Sequence, residues 1–319
     1  MTKILITGAL GQIGTELTLA MRERYGASEV ICSDIKDTCP EGPISEGVYE
    51  VLDVMNPQAI AATVSKHKVT HIVHLAALLS AVGEAHPARA WEINMGGLFH
   101  VLEVAREAKT AVFTPSSIAA FGPGTPVDNT PQDTIQRPTT MYGVTKVAGE
   151  LLCDYYHLKF GVDVRGVRFP GLISHEALPG GGTTDYAVHI YYDALKKGSY
   201  TSYIAAGTYM DMMYMPDALQ AIMTLLEADA ARLKHRNAFN ITAMAFEPEE
   251  LAAEIRKHIP GFVMDYDVDP IRQGIADSWP NSLDDSVARE EWGWNPVYTL
   301  ETMTSDMLKQ LKNKGIGNR

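Results

Sequence analysis

The chain has 319 residues, 46% hydrophobic and 21% charged, enough apolar material for one large domain or two closely joined ones. Its 27 Lys and Arg against 39 Asp and Glu leave a net charge of −12, which disfavours nonspecific binding to nucleic acid or an anionic membrane. Three cysteines without a CxxC pair read as reduced thiols, and no run approaches the ~18 apolar residues of a membrane span, so a cytoplasmic protein is expected.

Short apolar runs alternate with longer amphipathic ones from the start. KILIT (3–7) reads as a strand opening the chain directly, without a basic leader; residues 12–25 read as a helix and EVICSD (29–34) as a second strand. GVYEVL (47–52), a helix after Asn56 and Pro57, and THIVHLA (70–76) continue the pattern. His71 and His74 flank two apolar residues on that strand, a spacing that sends them to opposite faces, and both read as structural. With no metal-ligand spacing elsewhere, no metal is expected. A helical stretch over 87–108 leads into TAVFTPSS (110–117), the YGVTK segment opens a helix to about 159, and VDVRGVRF (162–169) follows. This alternation predicts an α/β fold with a parallel sheet covered on both faces.

After residue 170 the rhythm breaks. PGLISHEALPGGGTTD (170–185) is a loop long enough to imply function. Helices follow near 186–197, 216–228, 247–258 and 299–313, with strands near 201–205 and 237–241. The expected organisation is a first unit over 1–170 and a smaller lobe over 171–319, the chain being free to cross between them.

TGALGQIG (7–14) sets Gly8, Gly11 and Gly14 between the first strand and the first helix, with Gln12 and Ile13 opening the helix. Glycines there permit a tight turn and close backbone approach to a pyrophosphate at the helix N-terminus. Asp34 ends the second strand, where a carboxylate hydrogen-bonds adenosine ribose hydroxyls and repels a 2′-phosphate. No arginine immediately follows it, so NAD is expected over NADP despite the nearby Lys36. In LDV (52–54), with Val54 beside it, Asp53 either meets the adenine or is an exposed loop aspartate.

YGVTK puts Tyr142 and Lys146 at i and i+4, one face of a helix, where a phenol and an ammonium can act together. With the glycine loop, Asp34, LAA (Leu75, Ala76, Ala77), Asn94, PSSIAAFG (115–122) and YGVTK in this order, the chain resembles the extended short-chain dehydrogenase/reductases over nearly its whole length. The resemblance implies a Rossmann domain, doubly wound, with a C-terminal substrate lobe, and a Ser–Tyr–Lys set at Ser117, Tyr142 and Lys146. Free tyrosine titrates at about 10, so the phenol needs Lys146 and an oxidised nicotinamide to serve as a base near neutrality. Tyr142 would take the proton of a substrate hydroxyl while hydride passes to nicotinamide C4. Ser117 would hold the substrate oxygen, and Lys146 would also bind the nicotinamide ribose. Asn94 matches the family's helix asparagine, with a relay or a structural role.

Within the family, TYMDMMYMPDAL (208–219), RFPGLIS (168–174) with Pro170, PGGGTTDYAV (179–188) and the WP before GWNP resemble the short-chain-type L-threonine 3-dehydrogenases. Sugar-nucleotide epimerases usually carry an arginine near 210 for a diphosphate, which neither Met210 nor Asp211 replaces; most of these methionines read as packing. Gly180, Thr183 and Thr184 would belong to a lid over a small polar substrate, with the threonines alternatively capping the next helix. Trp279 would wall the pocket, whereas Trp292 and Trp294 read as core. Ser80 would bind the substrate's carboxylate or amine, or cap its loop. The implied activity is NAD-dependent oxidation of the L-threonine β-hydroxyl to L-2-amino-3-ketobutyrate. The alternatives are a nucleotide-sugar epimerase or dehydratase and a non-catalytic dinucleotide sensor. The resemblance also implies a homodimer pairing through 87–108 and 142–159, the alternative being that the apolar positions of both helices face only the sheet.

Overall fold

A computed structural model describes residues 2–317. Ile4–Thr7 (β1), Gln12–Tyr25 (α1), Val30–Asp34 (β2), Tyr49–Val51 (β3), Pro57–His67 (α2) and His71–His74 (β4) stand where the periodicity puts them. Asn56 caps α2 by accepting from the Ala59 N–H, with Pro57 at the first helical position. The 87–108 stretch is helical throughout, with a π turn inside it. A short helix Ser80–Ala85 (α3) precedes Pro87–Trp91 (α4), a π turn at Glu92–Gly96 and Gly97–Ala108 (α5). Ala111–Phe113 (β5) and Ser116–Ser117 (β6) are separate strands rather than one.

Met141–Phe160 (α6) carries the YGVTK pair in its first turns and stops at Gly161 in the left-handed conformation. VDVRGVRF also divides, into Val164–Arg165 (β7) and Val167–Phe169 (β8), and Gly171–Ile173 forms a further strand (β9) inside the expected loop. Beyond it lie Tyr186–Lys197 (α7), Ser199–Ser202 (β10), Met210–Tyr214 (β11), Met215–Glu227 (α8), Phe239–Asn240 (β12) and Met244–Phe246 (β13). Pro248–His258 (α9), Val263–Tyr266 (β14), Pro270–Ala276 (α10), Ser286–Trp292 (α11) and Leu300–Asn313 (α12) complete the order. The strand expected at 201–205 is therefore β10, displaced towards the N-terminus because it starts directly after the helix-ending Gly198. β11, β13, β14, α10 and α11 were not foreseen.

The main sheet is parallel with order β3-β2-β1-β4-β5-β7. Strand order reverses between β1 and β4, and the crevice beyond their C-terminal ends is where such sheets bind ligands. One core joins β1, β2 and α1 to α8, Trp292 and Trp294. A second, on the other face, joins α2, α5 and α6 to the sheet. A third is built from α7, α9, α12 and β11. The chain thus returns to the first core after residue 171, at α8 and again around Trp292 and Trp294. These two tryptophans are buried, and the Trp294 indole donates to Asp285. Met210, Met212, Met213 and Met215 are buried too, so that motif builds the core.

Candidate active site

Gly8 has φ +68°, and a Cβ there would stand 2.7 Å from the Ala76 backbone nitrogen. A Cβ on Gly14 would stand 2.5 Å from Gly8 O, so the loop is folded on itself as tightly as glycine allows. Gly11 is the N-cap of α1 and provides no side-chain partner for the first helical N–H groups. Gln12 Nε2, at the same helix start, is buried without a hydrogen-bond partner. Asp34 accepts from the Leu10 N–H at 3.1 Å, fastening the loop to the end of β2. Free donors on a helix start and an orphan amide donor fit the diphosphate of a dinucleotide, and a neighbouring carboxylate fits the ribose hydroxyls as their acceptor.

α6 begins under two side-chain caps. Thr140 accepts from the Gly143 N–H at 3.1 Å, and Glu84 of α3 accepts from the Met141 N–H at 2.6 Å. Tyr142 is therefore on an anchored first turn. Lys146 Nζ lies 5.3 Å from the centre of the Tyr142 ring and donates to Pro115 O at 2.7 Å. Ser117 ends β6 and caps the following 3-10 turn by accepting from the Ala119 N–H at 3.2 Å. Its hydroxyl proton is left to point elsewhere. Asn94, on the π turn, accepts from the Leu78 N–H at 2.8 Å and donates to Leu78 O and Thr145 Oγ1. Its amide thus pins the segment after β4 against α6, and the π turn is the local distortion that aims it there.

One cleft of about 240 Å³ gathers most of the site. Its wall includes Gly8, Gly11, Gln12, Ile13 and Gly14 from the loop, Leu75 and Ala77 after β4, and Ser80 at the start of α3. Ser117, Tyr142 and Lys146 face it together with Pro170, Gly180, Thr183, Thr184 and Trp279. Trp279 packs on Ile118, Ala119 and Phe121 with Tyr142 beside them. Asp34, Asp53, Val54, Ala76 and Asn94 lie outside that wall. Asp53 is exposed and accepts from the Met55 N–H, a turn-capping contact, and Val54 is buried among core side chains. Ser80 is not the cap of α3, because Leu79 holds the N-cap position. The expected threonine cap of α7 is absent as well: Asp185 occupies the N-cap position, and its side chain instead accepts from the Gly181 and Gly182 N–H groups at 2.9 and 2.6 Å.

Asp185, Ile118 and Leu172 also line the cleft and were not singled out from the sequence. Asp185 had a signal, an acid directly before a helix and after three glycines, whose loop N–H groups need an acceptor. Burial chiefly raises its carboxyl above the usual range, against the two backbone donors. Behind Lys146, His74 bonds Thr7 at 2.9 Å and is pushed down to about 3 by burial, with the Lys146 charge adding to it. It is a neutral core histidine. His71 is likewise held within the sheet, against Thr70.

Residues 4–242 match the model of the NAD dependent epimerase/dehydratase family, and the chain belongs to that family, a branch of the extended short-chain dehydrogenase/reductases. It is an NAD-dependent enzyme. An uncharacterised epimerase/dehydratase of Staphylococcus haemolyticus is 60% identical over 98% of this chain and 99% of its own. The L-threonine dehydrogenase of Clostridium difficile superposes with TM-score 0.97 at 62% identity, over 99% of each chain. A monomeric L-threonine 3-dehydrogenase from a metagenome gives TM-score 0.92 at 44% identity, over 98% of this chain and 99% of its own.

The Asp34 contact leads to a prediction about cofactor choice. Asp34→Ala with Ile35→Arg should raise the NADP-to-NAD ratio of kcat/KM by at least about tenfold, since a 2′-phosphate gains a partner and loses a repulsive neighbour. Using the ratio cancels the loosening of the loop that follows loss of the Leu10 bond. Wild-type protein that already takes both cofactors equally would remove Asp34 from this role.

Proposed function

We propose that this protein is an NAD-dependent L-threonine 3-dehydrogenase, oxidising the β-hydroxyl to give L-2-amino-3-ketobutyrate. One observation carries the reading. Among the described residues, Lys146 and Asp185 are the only charged side chains in the wall of the cleft, which also holds Tyr142 and Ser117. A nucleotide-sugar diphosphate would be left without an arginine there. A small zwitterion needs little more than hydroxyls and one carboxylate, and Ser80, Thr183, Thr184 and Asp185 supply them.

Bound NAD supplies the hydride acceptor. Ser117, whose oxygen already accepts from Ala119, donates its own proton to the substrate oxygen and fixes the hydroxyl beside Tyr142. Tyr142 removes the hydroxyl proton as the carbonyl forms. The Lys146 ammonium, fixed on Pro115 O, stabilises the phenolate oxygen that takes this proton. Asn94 serves by position, holding the Leu78 segment and Thr145 in place. Trp279 and the 179–185 loop exclude water from the reacting carbon. In this reading residues 171–319 supply the substrate half of the cleft.

We further read the protein as a cytoplasmic homodimer. Its three cysteines are free thiols, and no helix among the described residues is long and apolar enough to cross a membrane. Phe99 on α5 and Leu151, Tyr155 and Leu158 on α6 expose 46%, 63%, 52% and 83% of their surface, a paired apolar face that a second copy would cover.

The test is NADH formation at 340 nm with a panel of amino acids, beside chromatography of the products from UDP-sugars, since an epimerase returns the hydride and leaves no net NADH. L-Threonine should be the substrate turned over best. L-Serine should bind about 1 kcal/mol more weakly for want of one buried methyl. L-Allothreonine should fail in turnover, since its inverted carbon turns hydroxyl or hydride away from its partner. Trp279→Ala should raise the threonine KM more than the NAD KM. Turnover of UDP-sugars without amino-acid oxidation would replace this reading with an epimerase.

A further inference from the structure

We propose that Glu16 is a positioning residue for substrate binding: through Ser174 it clasps the root of the substrate loop to the cofactor helix, so that one buried carboxyl sets how readily the loop closes. The inference rests on the threonine reading for its kinetic arm only.

Glu16 lies on α1, the helix whose start forms the glycine loop, and is 8% exposed. A carboxyl at that depth is placed at a cost unless it is paired or neutral. Its partner is the hydroxyl of Ser174, a fully buried residue directly after β9. Ser174 Oγ donates to Glu16 and accepts from the Glu176 and Ala177 N–H groups at 3.0 and 3.4 Å, which turns the chain out of the strand. That turn leads to Gly180, Thr183 and Thr184 on the cleft wall, while the other end of β9 follows Pro170 on the same wall. One hydrogen-bonded side chain therefore links the cofactor half of the cleft to the root of the loop that covers the substrate.

The charged surroundings come from three elements. The loop itself supplies His175 and Glu176. α12 supplies Asp306 and, at its C-cap, Lys314, with Lys314 Nζ on Glu176 at 2.7 Å. β11 supplies Tyr214, which contacts His175 at 2.8 Å and donates to Asp306 at 2.8 Å. No arginine or lysine bonds Glu16 directly among the described residues. Its carboxyl is pushed up to about 7, chiefly by burial, with Glu176 adding and Ser174 and Lys314 opposing.

The sign follows from linkage. A carboxyl whose value is raised in the clasped state binds its proton more tightly there than in an open, hydrated loop. The clasp is fully favoured below the ordinary value of 4.5, and that advantage is lost as pH rises to about 7. Between pH 6 and 8 the closing equilibrium should fall by up to about tenfold. If closure limits threonine binding, the threonine KM rises by the same factor.

The experiment compares wild type, Glu16→Gln and Ser174→Ala. The first readout is the KM of threonine and of NAD at pH 6 and 8. The second is hydrogen exchange in the 174–185 peptide without substrate, corrected for the intrinsic rate at each pH. Wild type should show the rise in threonine KM and faster exchange at pH 8, whereas Glu16→Gln should flatten both. Ser174→Ala should raise the threonine KM severalfold at both pH values, with kcat and the NAD KM little changed. A wild-type pH rise surviving in Glu16→Gln, or equal exchange in all three proteins, overturns the proposal. Wild type that does not oxidise threonine would sink the substrate reading alone, and the exchange arm would still decide for or against the clasp.

Discussion

Tyr142→Phe is expected to lower threonine turnover by roughly 10²–10⁴, the largest catalytic effect of any single change considered. The substitution removes one oxygen and leaves the ring where it stands. Tyr142 lies in the first turn of α6, which Thr140 and Glu84 cap independently of the hydroxyl. The ring keeps its neighbours Ile118, Trp279 and Lys146, so fold and cofactor affinity should hold. The measurement is kcat with saturating NAD and threonine, alongside fluorescence titration of NAD. Retention of more than about a third of the activity would mean that another group takes the proton, because positioning alone does not replace a base. Lys146→Met should behave differently. It removes the charge near the phenol and the tie to Pro115 O, so both kcat and the order of the Pro115–Ser117 segment should suffer.

The glycine loop, Asp34 and the Tyr142–Lys146 spacing were legible because each is a local arrangement: a turn that admits only glycine, a strand end, two side chains on one helix face. β1, α1 and β2 were legible for the same reason, apolar runs joined by unmistakable punctuation. What escaped depended on partners far away in sequence. β11 reads MDMMY, with no β-branched residue and an aspartate inside it, yet it is a buried strand. Asp211 is tolerated there because Thr242 donates to it at 2.7 Å and the Leu283 N–H at 3.0 Å. VDVRGVRF looked like one strand, but a Cβ on Gly166 would stand 2.3 Å from Thr114 O, and the chain leaves the main sheet at that contact. The π turn inside the 87–108 helix serves Asn94, whose amide reaches Leu78 and Thr145. Asp185 stands beside two threonines with the more familiar hydroxyls, and its role depends on the Gly181 and Gly182 N–H groups that the folded loop turns towards it. In each case a local propensity was overruled by a contact that only the folded chain brings together.

Glu150 gives the second large expected effect, and it concerns the frame around the catalytic groups. It sits one turn beyond Lys146 on α6, with its side chain 5% exposed, and forms a two-bond pair with Arg168 of β8, 7% exposed. Arg168 donates Nε to one carboxylate oxygen at 3.0 Å and a terminal nitrogen to the other at 2.8 Å. The same guanidinium reaches Gln132 O and Asn240, and lies 5.0 Å from the centre of the Phe121 ring. Glu150 also accepts from Gln136 at 2.7 Å and from the Ser116 hydroxyl, next to Ser117. Glu150→Ala would leave Arg168 charged and unpaired in the interior, a loss of about 3–5 kcal/mol. For a chain of this size that corresponds to a fall in Tm of about 4–8 °C. The double variant Glu150→Ala with Arg168→Met removes the stranded charge and should regain at least about half of the loss, the coupling that a double-mutant cycle reads. Activity should not return with stability, because Ser116 still lacks its acceptor and β6 is free to shift Ser117 from the substrate oxygen. Thermal melts of wild type, Glu150→Ala, Arg168→Met and the double variant, paired with kcat at a temperature where each is folded, separate the two effects. A loss below about 1 kcal/mol in Glu150→Ala would show that water reaches Arg168, since only a solvated guanidinium is left so cheaply without its partner.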